Sequence, residues 1–105
     1  MSYNDITIII TSFRSDKKIN KCINSIDPRC KILLIENSNN TELKDEIEKK
    51  FKNVECILTG KNLGYSKANN LGLKRVKTKF SLILNPDIIL ENSALEIFLS
   101  TASKL

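Results

Sequence analysis

A chain of 105 residues, 41% hydrophobic and 28% charged, has the length and balance of one soluble globular domain. It contains no apolar run near the ~20 residues that a membrane-spanning helix needs, and Ile6–Ile10 behind Met1–Asp5 is too short for a secretory signal, so the expected address is cytoplasmic, either free or peripheral to the inner face of the membrane. The net charge of +5 fits either a solvated lysine-rich surface or attraction for an anion such as a diphosphate or a phospholipid surface, whereas nucleic acid is not expected, because the lysines are scattered and the six aromatics carry no binding motif.

In chain order, Ile6–Thr11 is a β-branched run of the kind found in a strand buried on both faces. Ile19, Cys22, Ile23 and Ile26 then recur at i, i+3, i+4 and i+7, which predicts a helix, with Ser15 or Asp16 as its cap. Lys31–Glu36 (KILLIE) predicts the second strand. Leu43, Ile47 and Phe51 predict the second helix, with Thr41 at its cap. Val54–Leu58 (VECIL) predicts the third strand, and Tyr65, Ala68, Leu71 or Gly72, and Val76 predict a third helix. Phe80–Leu84 (FSLIL) predicts the fourth strand. Leu95, Phe98, Leu99 and Ala102 follow as a fourth helical stripe, opened by the capping box Ser93-x-x-Glu96.

This βαβαβαβα order implies a parallel sheet with right-handed crossovers. If the fourth strand lies beside the first, the spatial order is 3-2-1-4 and winding reverses between those two. Ligands of open α/β sheets bind outside the carboxyl ends of the strands at such a switch. Those ends here are Thr11-Ser12-Phe13-Arg14-Ser15, Glu36-Asn37-Ser38-Asn39-Asn40-Thr41 and Asn85-Pro86-Asp87. Pro86 ends its strand sharply, and Asp87 behind it is suited to a hard divalent cation that would clamp a diphosphate. The bland alternatives are polar loops, helix caps and a tight N-P-D turn.

Other chemistries are excluded. Without histidine there is no Ser-His or Cys-His pair. Cys22, Cys30 and Cys56 form no C-x-x-C, and Cys22 and Cys56 read as small core residues. Gly60, Gly64 and Gly72 can make neither a P-loop nor G-x-G-x-x-G.

Four motifs in register, Ile8–Phe13 (IIITSF), Ile35–Asn39 (IENSN), Asn62–Gly72 (NLGYSKANNLG) and Leu84–Asp87 (LNPD), resemble the amino-terminal part of the family-2 glycosyltransferases of GT-A fold, in particular their rhamnosyltransferase-like branch. The resemblance covers essentially the whole chain. It implies a Rossmann-like nucleotide-binding half: a four-stranded parallel sheet flanked by helices, binding a UDP- or dTDP-sugar with Mg2+ or Mn2+ for inverting transfer. By the same resemblance Ser12, Phe13, Glu36 and Asn37 hold the base, Gly64 opens the helix flanking the diphosphate, and Asn69 and Asn70 take polar positions on that helix. Asn85 and Asp87 stand where the family places its D-x-D-like motif, with Asp87 as metal ligand. Glu36 stands where Asp is usual, Arg14 where Asn is common, and Asn85 in place of a first Asp. Family members also carry a second half with the acceptor site and the general base. No catalytic residue is therefore assigned here, and residues 1–105 are expected to be one donor-binding domain lacking that half. The alternative is a non-catalytic remnant acting as a binding or oligomerisation module, with a second copy of the chain or a separate carboxyl-terminal half as partner.

Overall fold

A computed structural model describes residues 2–91, 93–102 and 104; Met1 and Leu105, the ends of the expected domain, lie outside the described residues. After a single 3-10 turn at Tyr3–Asp5 the chain forms β1 (Ile6–Ser12), α1 (Asp16–Asn24), β2 (Lys31–Glu36), α2 (Thr41–Lys50), β3 (Val54–Leu58), α3 (Tyr65–Lys74), β4 (Phe80–Leu84) and α4 (Ala94–Ala102). The four strands are parallel in the order β3-β2-β1-β4, as the alternation of strand and helix patterns implies. β1 is buried along its whole length because it is central and covered on both faces.

Register sorts the side chains into two layers. Ile6, Ile8 and Ile10 point to one face, where Ile19, Cys22 and Ile23 of α1, Leu43 and Ile47 of α2, and Leu95 and Leu99 of α4 close the main core. Ile9, Leu33 and Ile35 point to the other, where Ala68 of α3 meets them. The ends of three helical stripes fall just past their helices yet still pack: Ile26 and Phe51 on the main core, Val76 on the smaller one. The cap of α2 differs from expectation. Asn40, not Thr41, accepts the Leu43 N–H, at 3.1 Å, and Thr41 is the first helical residue. A longer carboxamide arm one residue earlier reaches the third turn amide, so it takes the position. Ser15 stands at the cap of α1 without a side-chain bond to a helix amide; its Oγ donates instead to the Phe13 carbonyl at 3.4 Å.

α3 lies very close to the sheet. A Cβ at Gly72 would sit 2.9 Å from Ile9 Cγ2 and 3.3 Å from Ile35 Cγ1, so the missing side chain is what lets the helix approach.

The two edges of the sheet are finished differently. On β3, Glu48 accepts the Cys56 N–H at 2.8 Å and Lys44 donates to the Cys56 carbonyl, while the two side chains pair with each other at 2.9 Å. The exposed α3-side position of β3 is Glu55, paired with Lys31. On β4, among the described residues, no side chain or loop bonds the backbone from Ser81 to Leu84 beyond its ladder with β1. Its α3-side position, Ile83 in register with Ile9, is apolar and 38% exposed.

All three thiols are free and buried, Cys30 as well as Cys22 and Cys56. Burial pushes the Cys22 and Cys30 thiols up to about 11 and the Cys56 thiol up to about 12. They are core residues and remain protonated at neutral pH. Among the described residues no helix is long and apolar enough to cross a membrane.

Candidate functional site at the carboxyl ends of the strands

β1 and β2 end side by side, with Ser12 in register with Glu36. Glu36 is 1% exposed, and both its oxygens are taken: Ser12 Oγ donates to Oε1 and Ser38 Oγ donates to Oε2, each at 2.5 Å. A buried carboxylate is costly unless hydroxyls or amides satisfy it, and two short charge-assisted bonds do so here. Glu36 therefore clamps the ends of β1 and β2 together through the two serines. The longer arm of Glu compared with Asp is what spans to Ser12 and Ser38 at once.

Asn37, 2% exposed, does the same for a third loop. Its N–H donates to the Ser12 carbonyl at 2.8 Å, tying β2 to β1. Its Nδ2 donates to the Gly64 carbonyl at 3.2 Å, and its Oδ1 accepts from Thr59 Oγ1 at 3.1 Å and from the Leu63 N–H at 3.3 Å. The β3–α3 segment is thus held at both ends by one side chain. Gly64 precedes α3 with φ +84°, in the left-handed region, and a Cβ there would meet nothing; backbone conformation, not space, calls for glycine.

On α3 the two asparagines part company. Asn69 is buried and its Oδ1 accepts from Thr11 Oγ1 at 2.6 Å, fixing the helix to the end of β1. Asn70 is exposed on the outer side and bonds none of the other candidates among the described residues. Asn69 sits four residues after Tyr65 and one after buried Ala68, so the helical stripe itself carried the signal that separates them. Thr59, which sequence reading did not name, follows directly on β3 and joins the network, as does Ser38, two residues past β2.

Phe13 is exposed at the rim with the Arg14 guanidinium 5.0 Å above its ring, and Arg14 adopts φ +56° to turn the chain there. Beyond β4, the Asn85 side chain accepts the Asp87 N–H at 2.9 Å, forming the turn around Pro86. Asp87 is open to solvent, its side chain 59% exposed, and pairs with the 63%-exposed Lys18 ammonium of α1 at 2.9 Å. Among the described residues no three of His, Cys, Asp or Glu gather in a metal-sized cluster. A hollow of about 250 Å³ lies between Lys18, Lys21, Pro86, Asp87 and Ile89, and a second of about 370 Å³ borders Arg14, Ser15, Asp16, Lys17 and Lys18. A hollow of about 390 Å³ at the opposite end of the sheet, by Arg29, Lys31 and Glu55, holds none of the candidate residues.

Residues 7–105 match the family described as Glycosyl transferase family 2. The chain belongs to that family. Within glycosyl transferase family 2 it is similar to the low-salt glycan biosynthesis hexosyltransferase Agl10 of Haloferax volcanii, 28% identical over 89 residues that make up 81% of this chain and 28% of that protein. It is also similar to the teichoic acid poly(glycerol phosphate) polymerase of Staphylococcus epidermidis, 31% identical over 104 residues, or 91% of this chain and 14% of that one. The chain thus spans under a third of the length of these curated relatives. Two crystal structures of S. aureus TarS superpose on it with TM-scores of 0.77 and 0.78 at 15% identity, over 96% of this chain and 20% and 33% of theirs. The sheet order and flanking helices are those of the GT-A glycosyltransferases.

Proposed function

We propose that this family 2 chain is the donor-binding part of a glycosyltransferase, taking the nucleoside diphosphate of a UDP- or dTDP-sugar in the crevice between the ends of β1, β2 and β4. The observation that supports this most is the convergence of Ser12, Glu36, Asn37 and Gly64 in one hydrogen-bonded frame at the topological switch, with Asp87 across the β1/β4 gap. In this reading the exposed Phe13 ring stacks on the base and the Ser12 and Asn37 loops meet its polar edge. Glu36 acts from below by orienting Ser12. Asn85 shapes the turn that presents Asp87, and Asn70 borders the donor from the solvent side of α3.

Asp87 suits a cation that arrives with a diphosphate better than one held by protein alone. Mg2+ or Mn2+ needs only one or two protein carboxylates when phosphate oxygens supply the rest. One reachable carboxylate is what the turn offers, because the Asn85 oxygen is already engaged. When bound, the cation would offset charge on the departing diphosphate as a Lewis acid. Lys18 is placed to move from Asp87 to a phosphate oxygen.

The acceptor site and the general base of an inverting transfer are assigned to polypeptide beyond residues 1–105. The lengths of the relatives support this. Their names speak of a glycan and of teichoic acid, so a cell-surface polymer is the proposed product class.

The test is titration calorimetry of UDP and dTDP with and without Mg2+ or Mn2+. Binding that requires the cation, and that Asp87→Ala abolishes, is the expected result. Equal affinity with and without cation removes the metal role, and no heat from either nucleotide removes the donor reading.

A further inference from the structure

The turn that presents Asp87 is fastened to one face of α1. Lys18, Cys22 and Ser25 fall at i, i+4 and i+7, a single helical stripe, and each engages the segment from Asn85 to Leu90. The Cys22 thiol donates to the Asn85 carbonyl at 3.9 Å, and the Leu90 N–H donates to Ser25 Oγ at 3.0 Å. Ser25 is itself fixed, since its hydroxyl donates to the Cys22 carbonyl at 2.6 Å. Within the turn, Asn85 accepts the Asp87 N–H through its side chain and the Ile88 N–H through its carbonyl. Each of these bonds has both partners inside the chain.

Lys18 is the odd member of the stripe. Cys22 and Ser25 hold backbone, whereas Lys18 takes the Asp87 carboxylate itself, at 2.9 Å. The turn is therefore anchored without Lys18, and what Lys18 supplies is charge on the carboxylate that a cation would use. The described residues lining the hollow beside the pair, about 250 Å³, carry two ammonium groups, Lys18 and Lys21, against the single carboxylate of Asp87. A bare divalent cation entering there must part Lys18 from Asp87 and then lie beside two positive charges. A diphosphate brings the anion that the hollow lacks, and it gives Lys18 a second partner with no loss of charge pairing.

We propose, on the donor-binding reading, that Lys18 is an exchangeable counter-ion that makes cation binding at Asp87 conditional on the nucleoside diphosphate. Lys18 neutralises Asp87 before any ligand binds and passes to a phosphate oxygen when nucleotide and cation arrive together. The cost of parting Lys18 from Asp87 is then met once for both ligands instead of once for each. By linkage, nucleotide and cation tighten each other by the same factor.

Two titrations test it: Mn2+ alone, followed by the electron paramagnetic resonance of the free ion, and UDP by calorimetry with and without Mn2+. An exposed pair is worth little by itself, so Lys18→Met should bind Mn2+ alone about two- to five-fold more tightly than the parent chain. It should bind UDP more weakly, and Mn2+ should improve that binding by a smaller factor than in the parent. The shrinkage of that factor should equal the gain in Mn2+ affinity, because both measure the same released pair. Lys18→Arg keeps the charge and should keep the parent's coupling. The circular-dichroism melt of Lys18→Met should match the parent's, because Cys22 and Ser25 still hold the turn. Mn2+ alone binding Lys18→Met no better than the parent overturns the proposal, as does an equal effect of Mn2+ on UDP in the two proteins. Loss of coupling in Lys18→Arg overturns it too, since shape and not charge would then set the effect. A parent chain that binds no UDP even with Mn2+ removes the donor reading and the counter-ion role with it, whereas the other adverse results leave donor binding standing.

Discussion

β3 and β4 are both five-residue outer strands of one parallel sheet, yet they meet solvent in opposite ways. β3 is roofed by a salt-bridged lysine and glutamate one helical turn apart on α2, which spend their polar atoms on the strand's own backbone. Among the described residues β4 has no such roof, and its neighbouring charges lie at its ends and not along its side. Here the guard is a pair of side chains from the neighbouring helix at i and i+4, and among the described residues no such pair reaches β4. What separates the two edges is thus local chemistry more than strand length or position.

Several substitutions would break or sharpen this contrast. The largest effect is expected at the covered centre of the sheet. Gly72→Ala should cost about 1–3 kcal/mol in urea unfolding, because the new methyl drives α3 off Ile9 and Ile35. A neutral result would mean that α3 can shift outward at little cost and that the α3 face is looser than drawn here. Next comes the guarded edge. Lys44→Ala with Glu48→Ala should lower stability by about 1–2 kcal/mol, since the amide of buried Cys56 loses its charged acceptor.

A pH series probes the interior behind that edge. The Cys56 thiol is raised by burial to about 12 from the ordinary 9.0, and Cys22 and Cys30 are raised to about 11. A raised folded value favours the protonated form, so this contribution is complete below about 9 and is lost as pH rises through 11 to 12. Urea midpoints should accordingly fall between pH 8.5 and 10.5 (about two units chosen to straddle the unfolded thiol value), and less so in Cys56→Val. The smallest change is expected at the bare edge, where Ile83→Lys should alter stability by under about 0.5 kcal/mol.

Much of the architecture was legible because strands buried on both faces read as continuous apolar runs. Ile6–Thr11 and Lys31–Glu36 are of this kind, and helices sat between them at the right length. The cap of α2 was harder, as Asn40 and Thr41 are both good capping residues and only the direction of the chain decides between them. At the crevice, Ser12, Glu36, Asn37 and Asp87 could be named from their place after strands. What they do there could not, because a buried clamp and an exposed ligand are spelled with the same letters. The Ser12–Glu36 bond, the Lys18–Asp87 pair and the hold of Glu48 and Lys44 on Cys56 all join residues whose proximity depends on how separate elements pack. Asn69, set beside Asn70 at a polar position by the resemblance, is buried, and its place next to Ala68 on the helix is the signal that could have shown it.

Asn37 has a consequence for how the crevice would behave. By gripping Thr59, Leu63 and Gly64 with one carboxamide, it freezes a six-residue connection during folding, so a molecule entering beside it meets a finished wall and loses little affinity to ordering it. Asn37→Ala would loosen that connection beyond Gly60, where its backbone bonds to the β2 loop end. Lys61, exposed within it, should then be cut by trypsin faster than in the parent chain.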